Sequence, residues 1–483
     1  MEGFKSEARA SDVYPVVDIK AESFTPSMSS ISSSFGQPST IMSSSQHPLR
    51  QSGIYHNLPT FSDSKGLKAI VCGATGISGF NTIRSLLDTP DRWSTVYALS
   101  RSPPGEDLLA LLTDEQCSRI QHVSVDLGSS SQDIANAFKD AGVEADYVFY
   151  YAYLLPNTGK SAMNPSTAHD LVEANIPPFK NFLGSLPLAG LKPRRILLQT
   201  GGKNYGMHIG RVRTPLVESD PQPKHLSPNF YYNQEDLLMK FCNEHPETGW
   251  NIIMPAAILG TTKYASMNTA LAWGVYAGVQ AHKKEPLRFS GDMSAWQFGY
   301  THCTARLTGY LSEWAVLEEG CKNQRFNAQD GGLFSFDRFY NELARWFGID
   351  TVLGPDEDES KYEVAVNFAG GKDSPLGYGP PNPLRLAHSL EKWAREPANE
   401  QAWEQMMKES KGELKTKVFD DKDTFLMADF SLTTWGTLSM NKAKIFGFNG
   451  FVDTVESIFE MYQEMAKIGM LPPMKVDSAR PLV

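Results

Sequence analysis

The sequence is short of the features that mark several function classes. Its five cysteines (Cys72, Cys117, Cys242, Cys303, Cys321) are scattered through 483 residues with no CxxC pair. That argues against a disulfide scaffold or a paired-cysteine zinc site and fits idle thiols in a reducing compartment. HExxH and HxxxH patterns are absent, as is a GxSxG nucleophile elbow, so metal and serine hydrolases have no support. No uninterrupted apolar run reaches membrane-spanning length, and no membrane partner is expected. Basic residues are outnumbered, giving a formal net charge of −10, so no nucleic-acid partner is expected either. Apolar content of 41% and charged content of 21% fit a globular chain long enough for one large domain with insertions, or for two.

Periodic apolar pattern is scarce in residues 1–65, where SFTPSMSSISSSFGQPSTIMSSSQHP is Ser-rich. This segment is expected to be a disordered tail. It lacks the charged start and apolar core of a secretory signal, and its acidic residues argue against a transit peptide, so a cytoplasmic location is expected.

What the chain does have begins at residue 66. The run KAIVC (68–72) suits a buried parallel strand, and GATGISG (73–79) follows it into helical spacing from Ile77 to Leu87. Gly73, Gly76 and Gly79 allow a tight turn, a close approach of backbone to a pyrophosphate and close packing of helix on strand; Thr75 and Ile77 share that turn. The helix N-terminus offers its N–H groups to phosphate. A second strand, TVYALS, ends at Ser100 and Arg101. Arginine at this place accommodates the 2′-phosphate of NADP where an acid would bond the ribose of NAD. Asp126 and Leu127, after the strand QHVSV, fit a third strand end beside the adenine, although Asp126 also suits a helix cap. ADYVFYYAY (145–153), RILLQTG (195–201) and WNIIMPAAILG (250–260) read as the next three strands. Strands alternating with helices imply a doubly wound parallel sheet of Rossmann type, with its ligand at the carboxyl ends of the strands. Thr200, Gly201, Pro255 and Ile258 fall at those ends and join the cofactor-binding candidates.

One spacing is missing. A short-chain dehydrogenase places a lysine four residues after its tyrosine, on the same helix face. In PNFYYNQED (228–236) the residues four beyond Tyr231 and Tyr232 are Glu235 and Asp236. A lysine appears instead in TGGKNYG (200–206), where Lys203 lies just past a strand end on the cofactor side.

These motifs together resemble the progesterone 5β-reductase/iridoid synthase-like enzymes, an atypical branch of the extended short-chain dehydrogenases. The segments GATGISG, VYALSRS (96–102), TGGKNYG and NFYYNQED carry the resemblance. LRFSGDMSAWQFGY (287–300), RFNAQDGGLFSFDRFYNELARWFGI (325–349) and SMNKAKIFGFNGF (439–451) extend it over roughly residues 66–483. The resemblance implies Lys203 and Tyr231 as catalytic residues, NADPH as cofactor, and reduction of a C=C bond conjugated to a carbonyl. Departures are Ser102, Asn204 and Met254, where the family often has arginine, histidine and arginine, and an expanded region near 351–415; Ser102 weakens the grip on the 2′-phosphate, and together the departures point to a substrate different from the plant steroid and terpenoid enones.

The expected organisation is an NADP-binding core over 66–260 and a smaller, mostly helical substrate lobe over 261–483, interleaved with the core and carrying a low-complexity insertion near 351–415. Tyr151, Tyr153, Tyr205, Tyr232, Met267 and Trp296 are candidates for an apolar substrate pocket. The expected partner is a small hydrophobic enone or enal, and a homodimer is an assembly to test. Two alternatives stand beside the ene-reductase: a carbonyl reductase or isomerase/cyclase on the same site, and a non-catalytic NADP-binding regulator.

Overall fold

Leu67–Cys72 is short, and Ala69, Ile70, Val71 and Cys72 are each 0% exposed. Continuous apolar burial of this kind belongs to a strand covered on both faces. In the computed structural model, which describes residues 47–156, 165–263, 268–421, 423–434 and 436–482, seven such strands pair into one sheet. Across it run Gln324–Ala328, Gly249–Pro255, Arg195–Gln199, Tyr147–Tyr150, Leu67–Cys72, Trp93–Ser100 and Ile120–Ser124. Every pairing is parallel. The order reverses between Leu67–Cys72 and Tyr147–Tyr150, which opens a crevice at the carboxyl ends. The expected doubly wound parallel sheet is therefore present, flanked by helices that include Ile77–Leu87, Ala168–Leu188, Phe230–Glu244 and Ala305–Leu317. Its seventh strand and the helix Ala305–Leu317 come from sequence assigned to the lobe, so the core runs well beyond residue 260.

Two expectations need correction. The tail does not extend to residue 65: Leu49–Ser52 and Tyr55–Pro59 form an antiparallel hairpin. Tyr55, Leu58 and Phe61 are buried there, and the Tyr55 hydroxyl donates to Glu460 at 2.8 Å. Three apolar side chains in 47–65 are enough to dock this stretch, and the Ser-rich composition before it obscured them. Residues 1–46 lie outside the described residues. The 351–415 region is also structured. Glu363–Phe368 pairs with Asn382–Leu386, the helices Leu390–Ala394 and Pro397–Glu409 follow, and Phe368, Leu384, Trp393 and Trp403 enter the lobe's core.

That core also takes the helices Thr269–Lys283, Phe336–Phe347 and Thr454–Lys467. Among the described residues no helix is long and apolar enough to cross a membrane.

Candidate active site

The glycine turn is built for close backbone approach. Gly73 has φ +77°, and a Cβ on it would lie 3.0 Å from the backbone of Tyr151 and Ala152. At Gly79 a Cβ would stand 2.2 Å from the Gly73 carbonyl oxygen, so the helix packs on the turn only without a side chain there. Gly73, Thr75, Gly76 and Ile77 keep partial exposure while Ala74, Ser78 and Gly79 are buried. The helix starts at Ile77 with Gly76 as N-cap, with no side-chain cap and no acidic residue in its first turn. Its N–H groups and the positive end of its dipole are thus left to an anion. The residues fit a dinucleotide phosphate.

Around this turn the other cofactor candidates fall as follows. Ser100 Oγ donates to the Ser102 carbonyl at 2.7 Å, and Ser124 Oγ donates to the Arg101 carbonyl at 3.1 Å, shaping the second strand's exit. Arg101 is exposed there. Asp126 accepts from the Gly128 N–H at 2.9 Å, so it closes its own turn; Leu127 beside it is half-buried. Thr200 is buried, and its N–H donates to the Ile253 carbonyl at 2.9 Å. A Cβ on Gly201 would lie 3.0 Å from the Pro255 carbonyl and 3.6 Å from the Tyr231 hydroxyl, so two strand ends and that tyrosine converge on one spot. Ile258 is half-buried in a short parallel pairing with Cys303.

Lys203 and Tyr231 are 28 positions apart in the chain, and Asn229 joins their segments. Its Nδ2 donates to the Lys203 carbonyl at 2.8 Å, and its Oδ1 accepts from the Tyr231 N–H at 3.0 Å. One buried side chain therefore caps the helix Phe230–Glu244 and holds the turn Gly202–Tyr205 against it. Sequence reading passed over Asn229, although asparagine just before FYY is an N-cap signal.

Electrostatics separate the two groups. Lys203 keeps some exposure, yet the surrounding protein lowers its ammonium from 10.5 to about 8. Burial raises the Tyr231 phenol well above its ordinary value, so it stays protonated and donates. His208, five residues past Lys203, is pushed down to about 3 by burial and by the Lys203 charge. It is a neutral imidazole near the site that no motif signalled.

The pocket candidates divide. Tyr153 stacks on Phe230 with ring centroids 5.5 Å apart, and Phe230 lies 4.4 Å from Tyr231. Burial raises the Tyr153 phenol, with the Tyr231 phenol adding to it, so the two tyrosines lie close together. Asn175 pins the next residue, with both its amide groups bonded to the Leu154 backbone at 2.8 and 2.9 Å. Leu154 and Leu155 then remain 37% and 41% exposed, an apolar rim beside Tyr153.

The other tyrosines and the tryptophan face elsewhere. Tyr151 packs on the sheet's inner core; burial raises it to about 12, and the neighbouring Ser312 and Thr82 hydroxyls lower it. Tyr205 donates to Asn327 at 2.6 Å in the opposite core layer. Tyr232 turns away from its neighbour, with Lys224 above its ring at 5.8 Å. Trp296 is buried in the lobe against Phe289 and Tyr340. Each was expected in the pocket because it follows a strand end or sits in an aromatic run. Side-chain direction there is set by packing partners distant in sequence. Met267 lies outside the described residues.

The PRISE-like Rossmann-fold domain family matches residues 69–369. An uncharacterised protein of Schizosaccharomyces pombe is 29% identical over 84% of this chain and 99% of its own. A 3-oxo-Δ(4,5)-steroid 5β-reductase of Arabidopsis thaliana is 26% identical over 84% of this chain and 93% of its own. Among solved structures, the enzyme WbmG of Bordetella bronchiseptica in complex with NAD has TM-score 0.50 at 12% identity, covering 85% of this chain and 98% of that one.

Proposed function

This chain belongs to the PRISE-like Rossmann-fold domain family, and we propose that it is an NADPH-dependent reductase of the C=C bond of a small apolar enone or enal. The oxidoreductase class follows from the family and its named reductase relatives. The observation that carries the finer reading is the Asn229 clamp, which sets a lysine-bearing turn against a tyrosine-bearing helix at the sheet's carboxyl end.

A dinucleotide held by the glycine turn would supply a hydride to the β-carbon, and solvent would supply the proton taken up at the α-carbon. Gly73, Gly76 and the N-terminus of Ile77–Leu87 would hold its pyrophosphate, and Arg101, exposed beyond the second strand, suits a 2′-phosphate. Tyr231, kept protonated by burial, donates a hydrogen bond to the substrate carbonyl oxygen and stabilises the enolate charge that develops there. Such a donor is worth roughly 3 kcal/mol in comparable oxyanion sites. Lys203 adds positive charge to the same end of the site. Tyr153, backed by the buried Phe230, and the Leu154–Leu155 rim supply apolar surface for the substrate body.

The test is NADPH oxidation over a panel of small enones and enals, with products identified for wild type, Lys203→Ala and Tyr231→Phe. A saturated carbonyl product is expected, with turnover falling about 10²–10³-fold in Tyr231→Phe. An allylic alcohol would make the enzyme a carbonyl reductase. Tight NADPH binding without turnover, unchanged in both variants, would make the chain a regulator.

A further inference from the structure

The position four residues beyond Tyr231, where a helical lysine would stand, holds Glu235, and it is only 2% exposed. Burying a carboxylate is costly unless its oxygens are bonded and its charge is met. Here both conditions are fulfilled. Asn204 Nδ2 donates to one oxygen at 2.7 Å, while Gln222 Nε2 and the Arg325 guanidinium donate to the other, each at 3.0 Å. Gln222 also donates to Asn204 Oδ1 at 2.8 Å, closing the cluster.

Four separate parts of the chain meet at this carboxylate. Arg325 comes from the seventh strand, Gln222 from the Pro-rich stretch after the turn, and Glu235 from the tyrosine helix. Asn204 follows Lys203 directly in the turn Gly202–Tyr205. The helix that lacks a catalytic lysine thus grips the turn that has one, at two places: Asn229 on the backbone and Glu235 on the side chain of the next residue.

We propose that Glu235 is a positioning residue that fixes Lys203 through Asn204. The idea rests on the reading of Lys203 as part of the reductase site. The link is geometric: Asn204 carries position from the helix to the turn, while the Glu235 charge is met by Arg325. An ion pair that only stabilised the fold would be indifferent to whether Lys203 is a lysine.

That difference gives the test. Turnover of cyclohexenone with NADPH is measured for wild type, Glu235→Gln, Lys203→Ala and the double variant, with Tm for each. Glu235→Gln is expected to lower kcat about ten-fold with KM for NADPH unchanged, and to cost nothing further once Lys203 is alanine. Asn204→Ala, which keeps the Glu235–Arg325 pair, should reproduce the kcat loss. An equal fold loss from Glu235→Gln in both backgrounds would overturn the proposal. A wild-type rate in Lys203→Ala alone would sink the reading of Lys203 itself, and the positioning role with it. Hydrogen exchange needs no substrate. The amides of Asn204 and Gly206, bonded within the turn, should exchange faster in Glu235→Gln while those of Leu67–Cys72 do not change. Unchanged exchange in the turn would count against the proposal.

Discussion

The carboxyl end of the sheet and the interior of the helical lobe are both rich in aromatic side chains, yet they use them differently. In the lobe, Trp273, Phe289, Trp296, Phe336 and Tyr340 pack ring against ring, with Phe289 and Trp296 centroids 4.7 Å apart. Polar groups there serve the core or are left over: His302 is 1% exposed with neither ring nitrogen bonded. At the sheet's end the aromatics Tyr153, Phe230 and Tyr231 are attached to a polar frame. Asn175, Asn229, Asn204 and Glu235 each join two segments. Aromatic content therefore does not tell pocket from core in this chain. At the sheet's end, Asn229 and Glu235 hold the lysine-bearing turn against the tyrosine-bearing helix.

The comparison breaks first at Trp296. As a core residue, Trp296→Ala should lower stability by about 3–5 kcal/mol while turnover per folded molecule stays at the wild-type value. Urea unfolding alongside NADPH oxidation measures both. A fall in kcat with stability intact would move Trp296 into the pocket and end the contrast. A smaller effect is expected at Arg101, which sits at the site's edge. Arg101→Ala should cut the preference for NADPH over NADH about 10- to 100-fold, the worth of hydrogen bonds from a charged group, without altering Tm. Equal loss for the two cofactors would show that Arg101 does not meet the 2′-phosphate.

How much of this was legible follows the same division. The glycine turn and the alternating strands could be read because they answer to local demands: a left-handed φ at Gly73, a missing Cβ at Gly79, an apolar run buried on both faces. Lys203 and Tyr231 emerged from their motifs. The facing of Tyr151, Tyr205 and Trp296 did not, because it depends on partners such as Ser312, Asn327 and Tyr340 far along the chain. The seventh strand escaped because QRFNA is short and more than half polar; it pairs through Gln324 to Ala328 with Asn251 to Pro255. Asn229 was in view, but its second bond, to the Lys203 carbonyl, joins segments that only the fold brings together.

Acidity sharpens the contrast further. Burial lowers Lys203 from 10.5 to about 8, so its ammonium is nearly complete well below pH 8, half present at about that value and lost as pH rises further. A rate that depends on this charge should fall about ten-fold for each pH unit above 8. An ordinary surface lysine would hold it to about pH 10. A kcat/KM profile flat to pH 10 would mean that the ammonium is not used, and Lys203→Ala should remove whatever alkaline limb exists.

The smallest expected effect is the most discriminating, because Tyr231 and Tyr232 are neighbours on one helix. The Tyr231 hydroxyl faces Gly201 at the strand ends, whereas Tyr232 is 5% exposed and turned toward Lys224. Asn229 lies beside the Tyr232 hydroxyl without a hydrogen bond of good geometry, so that oxygen is buried and unsatisfied. Removing an unsatisfied hydroxyl relieves a desolvation cost of about 1–3 kcal/mol and forfeits only its packing. Tyr232→Phe should therefore keep or slightly raise Tm and hold kcat within about two-fold of wild type. Measured beside Tyr231→Phe on the same substrate, the pair separates a donor aimed at the reacting oxygen from a phenol that fills space. If Tyr232→Phe were the variant that lost its rate, the two tyrosines would exchange roles, and the site would have to be rebuilt one residue along the helix.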